Sequence, residues 1–344
     1  FDNRYDALGE RFYASLYPDP LPNPRAVIFN DDALETLGLK QYGLDDLLSF
    51  FSGNSVPEGA APLAMVYAGH QFGGYSPQLG DGRGILIGQI RNKKGTLIDL
   101  HLKGAGKTPF SRMGDGRAVL RSCIREFLAS EALHHLGIPS TRALAVTTSN
   151  EPVQRETIEN ASMLMRFSES HIRFGSFEYF AYTEQFDELR QLCDYTLENH
   201  FPQIVQNETK YDDFLCAVAE KTGSLIAQWQ AFGFAHGVMN TDNMSIIGQT
   251  FDYGPYGFME RFRPNWINNH SDHQGRYAYQ NQPSIAHWNL WMWLNNLIPL
   301  AKPEDKERFK TQLADCLEDF EPTFLATYSV GLCKKMGLPD FHKD

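Results

Sequence analysis

The hydrophobic pattern of this chain changes period once, near residue 168, and that change limits the possible folds more than any other feature. Before it, apolar residues alternate or run in short stretches broken by glycine. A glycine cluster at Gly80 leads into Ile85-Leu86-Ile87 and Gly88-Gln89-Ile90. A charged turn spans Arg91 to Gly95, and Leu97-Ile98-Asp99-Leu100-His101-Leu102 follows. Alternation on either side of a turn predicts a β-hairpin over Gly80 to Leu102. Leu120, Cys123, Ile124, Phe127, Leu128 and Leu136 then form a helical stripe within Arg117 to Leu136, stopped by Gly137 and Pro139. Strand-like runs follow at Arg142 to Thr148 and Ala161 to Phe167.

Beyond residue 168 the spacing is mainly helical. Leu215, Val218, Ala219, Thr222, Leu225, Ile226, Trp229 and Phe232 share one face of a long core helix over Asp212 to Phe232. A further helix is expected from about His287 to Leu300, carrying Trp288, Trp291 and Trp293. A strand-rich half with one helix, followed by a helical half, predicts an α+β fold of two lobes with a cleft between them. Residues 1–167 are expected to form the first lobe with an N-terminal extension, and residues 168–344 the second. In the extension, Pro18, Pro20, Pro22 and Pro24 predict an extended arm, and a short helix is expected around Asp31 to Leu39. No internal repeat or low-complexity segment interrupts the chain.

Composition narrows the function classes. A formal charge of −11 argues against a nucleic-acid or anionic-membrane surface, since both need a basic footprint. Any phosphate has to be met by local Lys and Arg. No apolar run reaches the roughly 18 residues of a membrane span. The five cysteines, Cys123, Cys193, Cys216, Cys316 and Cys333, are scattered and lack CxxC spacing. That suits reduced core thiols better than a disulfide framework or zinc site. A monomeric cytoplasmic protein is expected. The first residue is Phe1 rather than Met, which leaves room for a removed leader.

The cluster Gly80-Asp81-Gly82-Arg83-Gly84 precedes a strand, where absent side chains let backbone N–H groups approach phosphate oxygens. Alone, such a cluster is more often a tight turn. Gly104-Ala105-Gly106-Lys107-Thr108 resembles the end of a phosphate-binding P-loop, but that pattern needs glycine where this chain has His101. The P-loop reading is rejected. What remains is Lys103 at a strand end, followed by a connection holding Arg112, Asp115, Gly116 and Arg117. Glu126 lies on the flank of the next helix's apolar stripe and can face inward. A strand lysine paired with a helix glutamate is how a protein-kinase-type site holds its lysine against phosphates. A surface ion pair is the plainer alternative.

The decisive segment is His236-Gly237-Val238-Met239-Asn240-Thr241-Asp242-Asn243, followed by Asp252-Tyr253-Gly254. Asn243 and Asp252 on neighbouring loops would supply hard oxygen ligands for Mg²⁺ or Mn²⁺. If Asn243 takes the place of the last residue in the kinase pattern HRDxxxxN, His236 falls on the His and Val238 on the catalytic Asp. The usual base is missing. Arg83, Arg166 and Arg173, together with Lys103, could neutralise a triphosphate. His270, Asp272 and His273 are metal-ligand types, but no spacing converges them, and a structural role is preferred.

These motifs, with Asn269-His270-Ser271-Asp272-His273-Gln274-Gly275-Arg276, resemble the selenoprotein O family across nearly the whole chain. The resemblance implies a pseudokinase-fold protein adenylyltransferase that binds ATP in an inverted pose and moves AMP to Ser, Thr or Tyr hydroxyls of protein substrates. By that resemblance Gly80, Gly82, Arg83, Lys103, Asp115, Gly116, Arg166 and Arg173 contact ATP, Asn243 and Asp252 hold metal, and Asp242 is the base. Family members generally run past the equivalent of Asp344, often to a redox-active cysteine or selenocysteine. Bacterial members often carry a cysteine just before the Asn269–Arg276 motif, where this chain reads Ile267-Asn268. Redox control through that bond is therefore not expected. UMP transfer, phosphoryl transfer and non-catalytic nucleotide binding stand as alternatives.

Overall fold

The computed structural model describes residues 1–338. It is an α+β protein that divides into two compact units. The first comprises Phe1–Ala68 and Pro77–His171, and the second the segment Gly69–Ser76 with the chain from Ile172 onward.

The first unit is built on an antiparallel sheet. Its strands are β1 (Tyr13–Ser15), β2 (Arg25–Phe29) and β3 (Leu63–Met65); two others, β4 (Gly69–Gln71) and β5 (Gly74–Ser76), pair only with each other, in the second unit. The sheet continues with β6 (Gly84–Arg91), β7 (Leu97–Lys103), β8 (Ala118–Val119), β9 (Arg142–Gln154) and β10 (Ile158–Ser168). The order across it is β1-β3-β6-β7-β10-β9-β2, with β8 also on β10. The long strands β9 and β10 form a hairpin that extends beyond the two strand runs legible in the sequence. Their extra residues are largely polar, so the apolar alternation that marks a strand fades there while the ladder continues.

Two-residue alternation sorts the side chains of the central strands. Ile98, Leu100 and Leu102 of β7 and Ala161, Met163, Met165 and Phe167 of β10 enter one apolar core. It also takes in Leu34 of α1 (Asp31–Thr36) and Leu47, Phe50 and Phe51 of α2 (Leu44–Phe51). Asp99, His101 and Lys103 consequently face the opposite side, as do Leu164 and Arg166. That side is covered by α3 (Leu120–His135), whose Cys123 and Phe127 join Leu164 and Val146 in a second cluster. Leu128 and Leu136, assigned by periodicity to the buried stripe, are 60% and 43% exposed. Glu126, Ala129, Ser130 and Leu133 are buried instead. Gly137 ends the helix at φ +77°, a left-handed conformation that glycine adopts at low cost.

The second unit is mainly helical: α4 (Phe174–Tyr182), α5 (Phe186–His200), α6 (Lys210–Phe232), α7 (Gln282–Asn296), α8 (Lys306–Glu318) and α9 (Phe320–Met336). Helix α7 starts earlier than the tryptophan pattern suggests, because Pro283 occupies its first turn, where a missing N–H costs nothing. Trp293 is fully buried among Phe174, Phe177 and Phe214, at ring-centroid distances of 5.3, 5.7 and 5.5 Å. Trp291 stays 48% exposed. Short strands β11 (Phe234–Ala235) and β12 (Gly257–Phe258) pair and bracket the loops carrying Asp242 and Asp252.

The cysteines correct the sequence reading in part. Cys123, Cys193 and Cys333 are buried free thiols, but Cys216 of α6 and Cys316 of α8 form a disulfide with Cα atoms 4.8 Å apart. The two lie 100 residues apart in sequence, so only the packing of α8 on α6 brings them together.

Candidate functional site: two groups of charged residues

The first group lies on the α3 side of the sheet in the first unit. Strand alternation places Lys103 and Arg166 on that side, and Glu126, one helical turn after Cys123, reaches both. Glu126 Oε2 accepts from Lys103 Nζ, and Oε1 accepts from Arg166 Nη1 at 2.9 Å. The surface-pair alternative for Lys103 and Glu126 is thereby set aside, since Glu126 is 2% exposed. Arg166 Nε donates to His101 Nδ1 at 3.4 Å, and His101 Nε2 lies 3.3 Å from Asp81 Oδ2. Complete burial, and next the Arg166 cation, push the His101 imidazole down to about 4. The ring is therefore neutral. With Nδ1 accepting, Nε2 carries the proton and donates to Asp81.

This chain of contacts ends in the glycine cluster. Gly80 has φ +94°, and a β-carbon there would stand 2.5 Å from the Phe110 ring; one at Gly82 would stand 2.9 Å from the Phe110 carbonyl oxygen. Thr108 Oγ1 donates to Asp81 O at 2.7 Å, tying the 104–108 loop to the same turn. Close backbone approach thus explains these glycines. Arg83 is exposed and makes no side-chain hydrogen bond or ion pair among the described residues. It is the cation of this group that stands open to a ligand. Asp115, in contrast, accepts from Arg155 at 2.6 and 2.9 Å and from the Arg117 N–H at 2.9 Å. The Arg155 hydrogen bonds hold its carboxyl down at about 2. Gly116 has φ +75° and lies against Gly106, which donates its N–H to the Gly116 carbonyl at 3.1 Å.

The second group lies in the second unit. Asp242 and Asn243 sit in a single 3-10 turn, Thr241–Asn243. Arg173, 2% exposed, donates through Nη1 to the Asp242 main-chain oxygen at 2.6 Å and to Asp252 Oδ2, with its guanidinium carbon 4.7 Å from the centre of the Phe251 ring. One arginine therefore ties the two loops that carry the acidic residues. His236 adds a second tie, since its Nε2 lies 3.0 Å from the Phe251 carbonyl oxygen. Burial lowers the affinity of His236 for a proton, so it acts there as a neutral donor. Asp252 has φ +60°, an uncommon conformation for a residue other than glycine.

Asp242 is 8% exposed. Its Oδ2 accepts from Gln71 Nε2 at 3.3 Å, and its Oδ1 is buried with no hydrogen-bond partner among the described residues. Burial raises its carboxyl to about 6, against the downward pull of Arg173 and Gln71 and with a smaller upward push from Asp252. Asn243 turns Nδ2 to the Val238 carbonyl oxygen at 2.9 Å, and its Oδ1 meets no donor among the described residues. The Asn243 amide oxygen and the carboxylate of Asp252, on the loop that Arg173 ties to the Asp242 turn, are a set of oxygen donors. Such a set fits Mg²⁺ or Mn²⁺, which are commonly held by one or two carboxylates and completed by water and substrate phosphates.

His270 and His273 are exposed, whereas Asp272 is buried and accepts from the N–H groups of Arg276 at 2.9 Å and Tyr277 at 2.7 Å. Asp272 is a loop cap. The sequence reading missed Gly69 and Gln71, which belong to the β4–β5 hairpin and reach Asp242. The only local signal was the Gly73-Gly74 turn flanked by Gln71 and Tyr75.

A family model described as Protein adenylyltransferase SelO matches residues 1–344. Proteins called Protein nucleotidyltransferase YdiU are similar along the chain. The one from Ectopseudomonas mendocina is 51% identical over 346 residues, spanning 100% of this chain and 70% of its own length. The one from Pseudomonas paraeruginosa is 52% identical over 340 residues, spanning 98% of this chain and 68% of its own. The one from Vibrio vulnificus is 51% identical over 339 residues, again spanning 98% and 68%.

Proposed function

Because the chain belongs to the family described as protein adenylyltransferase SelO, and is thus a nucleotidyltransferase, we propose that it moves AMP from ATP onto Ser, Thr or Tyr hydroxyls of protein acceptors. The observation that carries this reading is Asp242: a buried carboxylate beside Asn243, with one unpartnered oxygen, in a loop whose kinase-base position is held by Val238. A base displaced from the usual kinase position suits attack at the α-phosphorus of an inverted triphosphate. The acceptor oxygen attacks the α-phosphorus, its proton passes to Asp242, and the bond to the β-phosphate oxygen breaks to release pyrophosphate.

In this reading Lys103, Arg83, Arg166 and Arg173 offset phosphate charge, and Gly80, Gly82 and Gly116 let backbone N–H groups come close. Asp115 is assigned to the nucleotide, and Glu126 holds Lys103 and Arg166 ready for it. Asn243 and Asp252 would hold Mg²⁺ or Mn²⁺, which when bound offsets charge on the phosphate oxygens. The test is transfer from α-labelled and γ-labelled ATP to a protein acceptor. Label from the α position alone supports AMP transfer. Label from the γ position alone overturns it in favour of a kinase, and preference for α-labelled UTP would replace AMP with UMP.

A further inference from the structure

The segment Gly69–Ser76 lies in the midst of the first unit's sequence, yet it belongs to the second unit, where it reaches the Asp242 carboxyl. It is a two-residue hairpin. Phe72 and Gly73 form the turn at φ 50° and 87°, the left-handed pair of a type I′ turn, and Gln71 pairs with Gly74. Strand alternation then gives β4 two faces. On one, Gly69 and Gln71 both address Asp242. A β-carbon at Gly69 would stand 2.8 Å from Asp242 Oδ1, and Gln71 Nε2 donates to Oδ2 at 3.3 Å. On the other, His70 Nδ1 lies 3.0 Å from Oε2 of the buried Glu178.

The hairpin is fixed to the loop it covers. The His70 N–H donates to Thr241 Oγ1 at 2.7 Å, and the Phe72 N–H donates to Tyr277 Oη at 2.9 Å. Tyr277 Oη donates in turn to Asn240 Oδ1 at 2.6 Å. Tyr75 stacks on Tyr182 with ring centres 4.0 Å apart. Asn240, Thr241 and Asp242 are thus each held by the hairpin or through it. Among the described residues Gln71 is the single side-chain donor that reaches the Asp242 carboxylate.

We propose that Gln71 is a positioning residue: its amide fixes the plane of the Asp242 carboxylate, so that the base meets the acceptor hydroxyl in line with the α-phosphorus. The inference rests on the reading of Asp242 as the base. A carboxylate with no donor on either oxygen turns about its terminal torsion, which is broad and roughly two-fold. Gln71 supplies a donor, and Gly69 leaves space only for a carboxyl and no side chain opposite.

The experiment compares the full-length wild-type protein with Gln71→Met, which keeps the side-chain volume and removes the donor, and with Gln71→His, which restores an N–H donor. Transfer from α-labelled ATP to dephosphorylated casein is measured in Mn²⁺, with thermal unfolding alongside. The expected result is a fall in kcat of about tenfold to a hundredfold in Gln71→Met, as for other residues that orient a reacting group. KM for ATP and the unfolding midpoint should stay in place, and Gln71→His should recover part of the loss. An unchanged kcat in Gln71→Met overturns the proposal. So does a loss that appears only together with a lowered midpoint, or one that Gln71→His leaves as deep. Asp242→Ala separates the two levels: if it retains transfer, the base assignment itself is wrong. If it abolishes transfer while Gln71→Met does not alter kcat, the positioning role alone falls.

Discussion

Arg166 donates through Nη1 to Oε1 of Glu126 at 2.9 Å, and both side chains are only 3% exposed. With Lys103 on the other oxygen, two cations share one buried carboxylate.

Removing that carboxylate takes away the anion that both cations share. Glu126→Ala should cost about 3–5 kcal/mol of stability, the usual loss when one partner of a buried pair is deleted. Saturating ATP should restore part of it, because triphosphate oxygens supply the missing anion. Denaturant unfolding with and without ATP checks both outcomes. An equal loss in the two conditions would separate Glu126 from nucleotide binding.

Asp242 ties stability and activity to pH with opposite signs. Its carboxyl is raised to about 6 in the folded chain, above the ordinary value of 3.8. Between those values the folded state binds the extra proton, so stability falls as pH rises. The penalty is absent below about pH 4 and fully present above about pH 6. Asp242→Asn should therefore be more stable than the wild type at pH 7.5, on the order of 1–3 kcal/mol, and no more stable at pH 4. Transfer by the wild type should rise with pH through the same range, since the base works deprotonated. Metal-free unfolding curves at the two pH values test the stability difference, and its absence would deny the burial penalty.

The disulfide gives a count that can be read directly. Denatured without reductant, this chain should titrate three thiols, from Cys123, Cys193 and Cys333, and after reduction all five cysteines. Closing a loop of this length should contribute about 2–4 kcal/mol, so reduction should lower the unfolding midpoint. Five thiols at the outset would show that the bond does not form in solution.

What the sequence revealed was local. The alternation of β7 placed Lys103 on the face opposite Leu102, and the helical spacing of α3 put Glu126 one turn from Cys123, so the ion pair could be anticipated. Asp242, Asn243 and Asp252 could be singled out from their order in the chain, and Arg173 ties together the two loops that carry them. The hairpin over Asp242 was not legible, because strands as short as Gly69–Gln71 carry no period and their partners lie about 170 positions downstream. The Cys216–Cys316 bond was missed for the same reason. Leu128 and Leu136 were misplaced because the α3 face is chosen by Glu126 and its cations as much as by apolar spacing.

The central claim concerns which phosphorus is attacked, and the released product reports it. With ATP, Mn²⁺ and a protein acceptor, the account predicts one pyrophosphate for each acceptor modified and no ADP, with the acceptor gaining the mass of AMP. Stoichiometric ADP, with the acceptor gaining only the mass of a phosphoryl group, would contradict it.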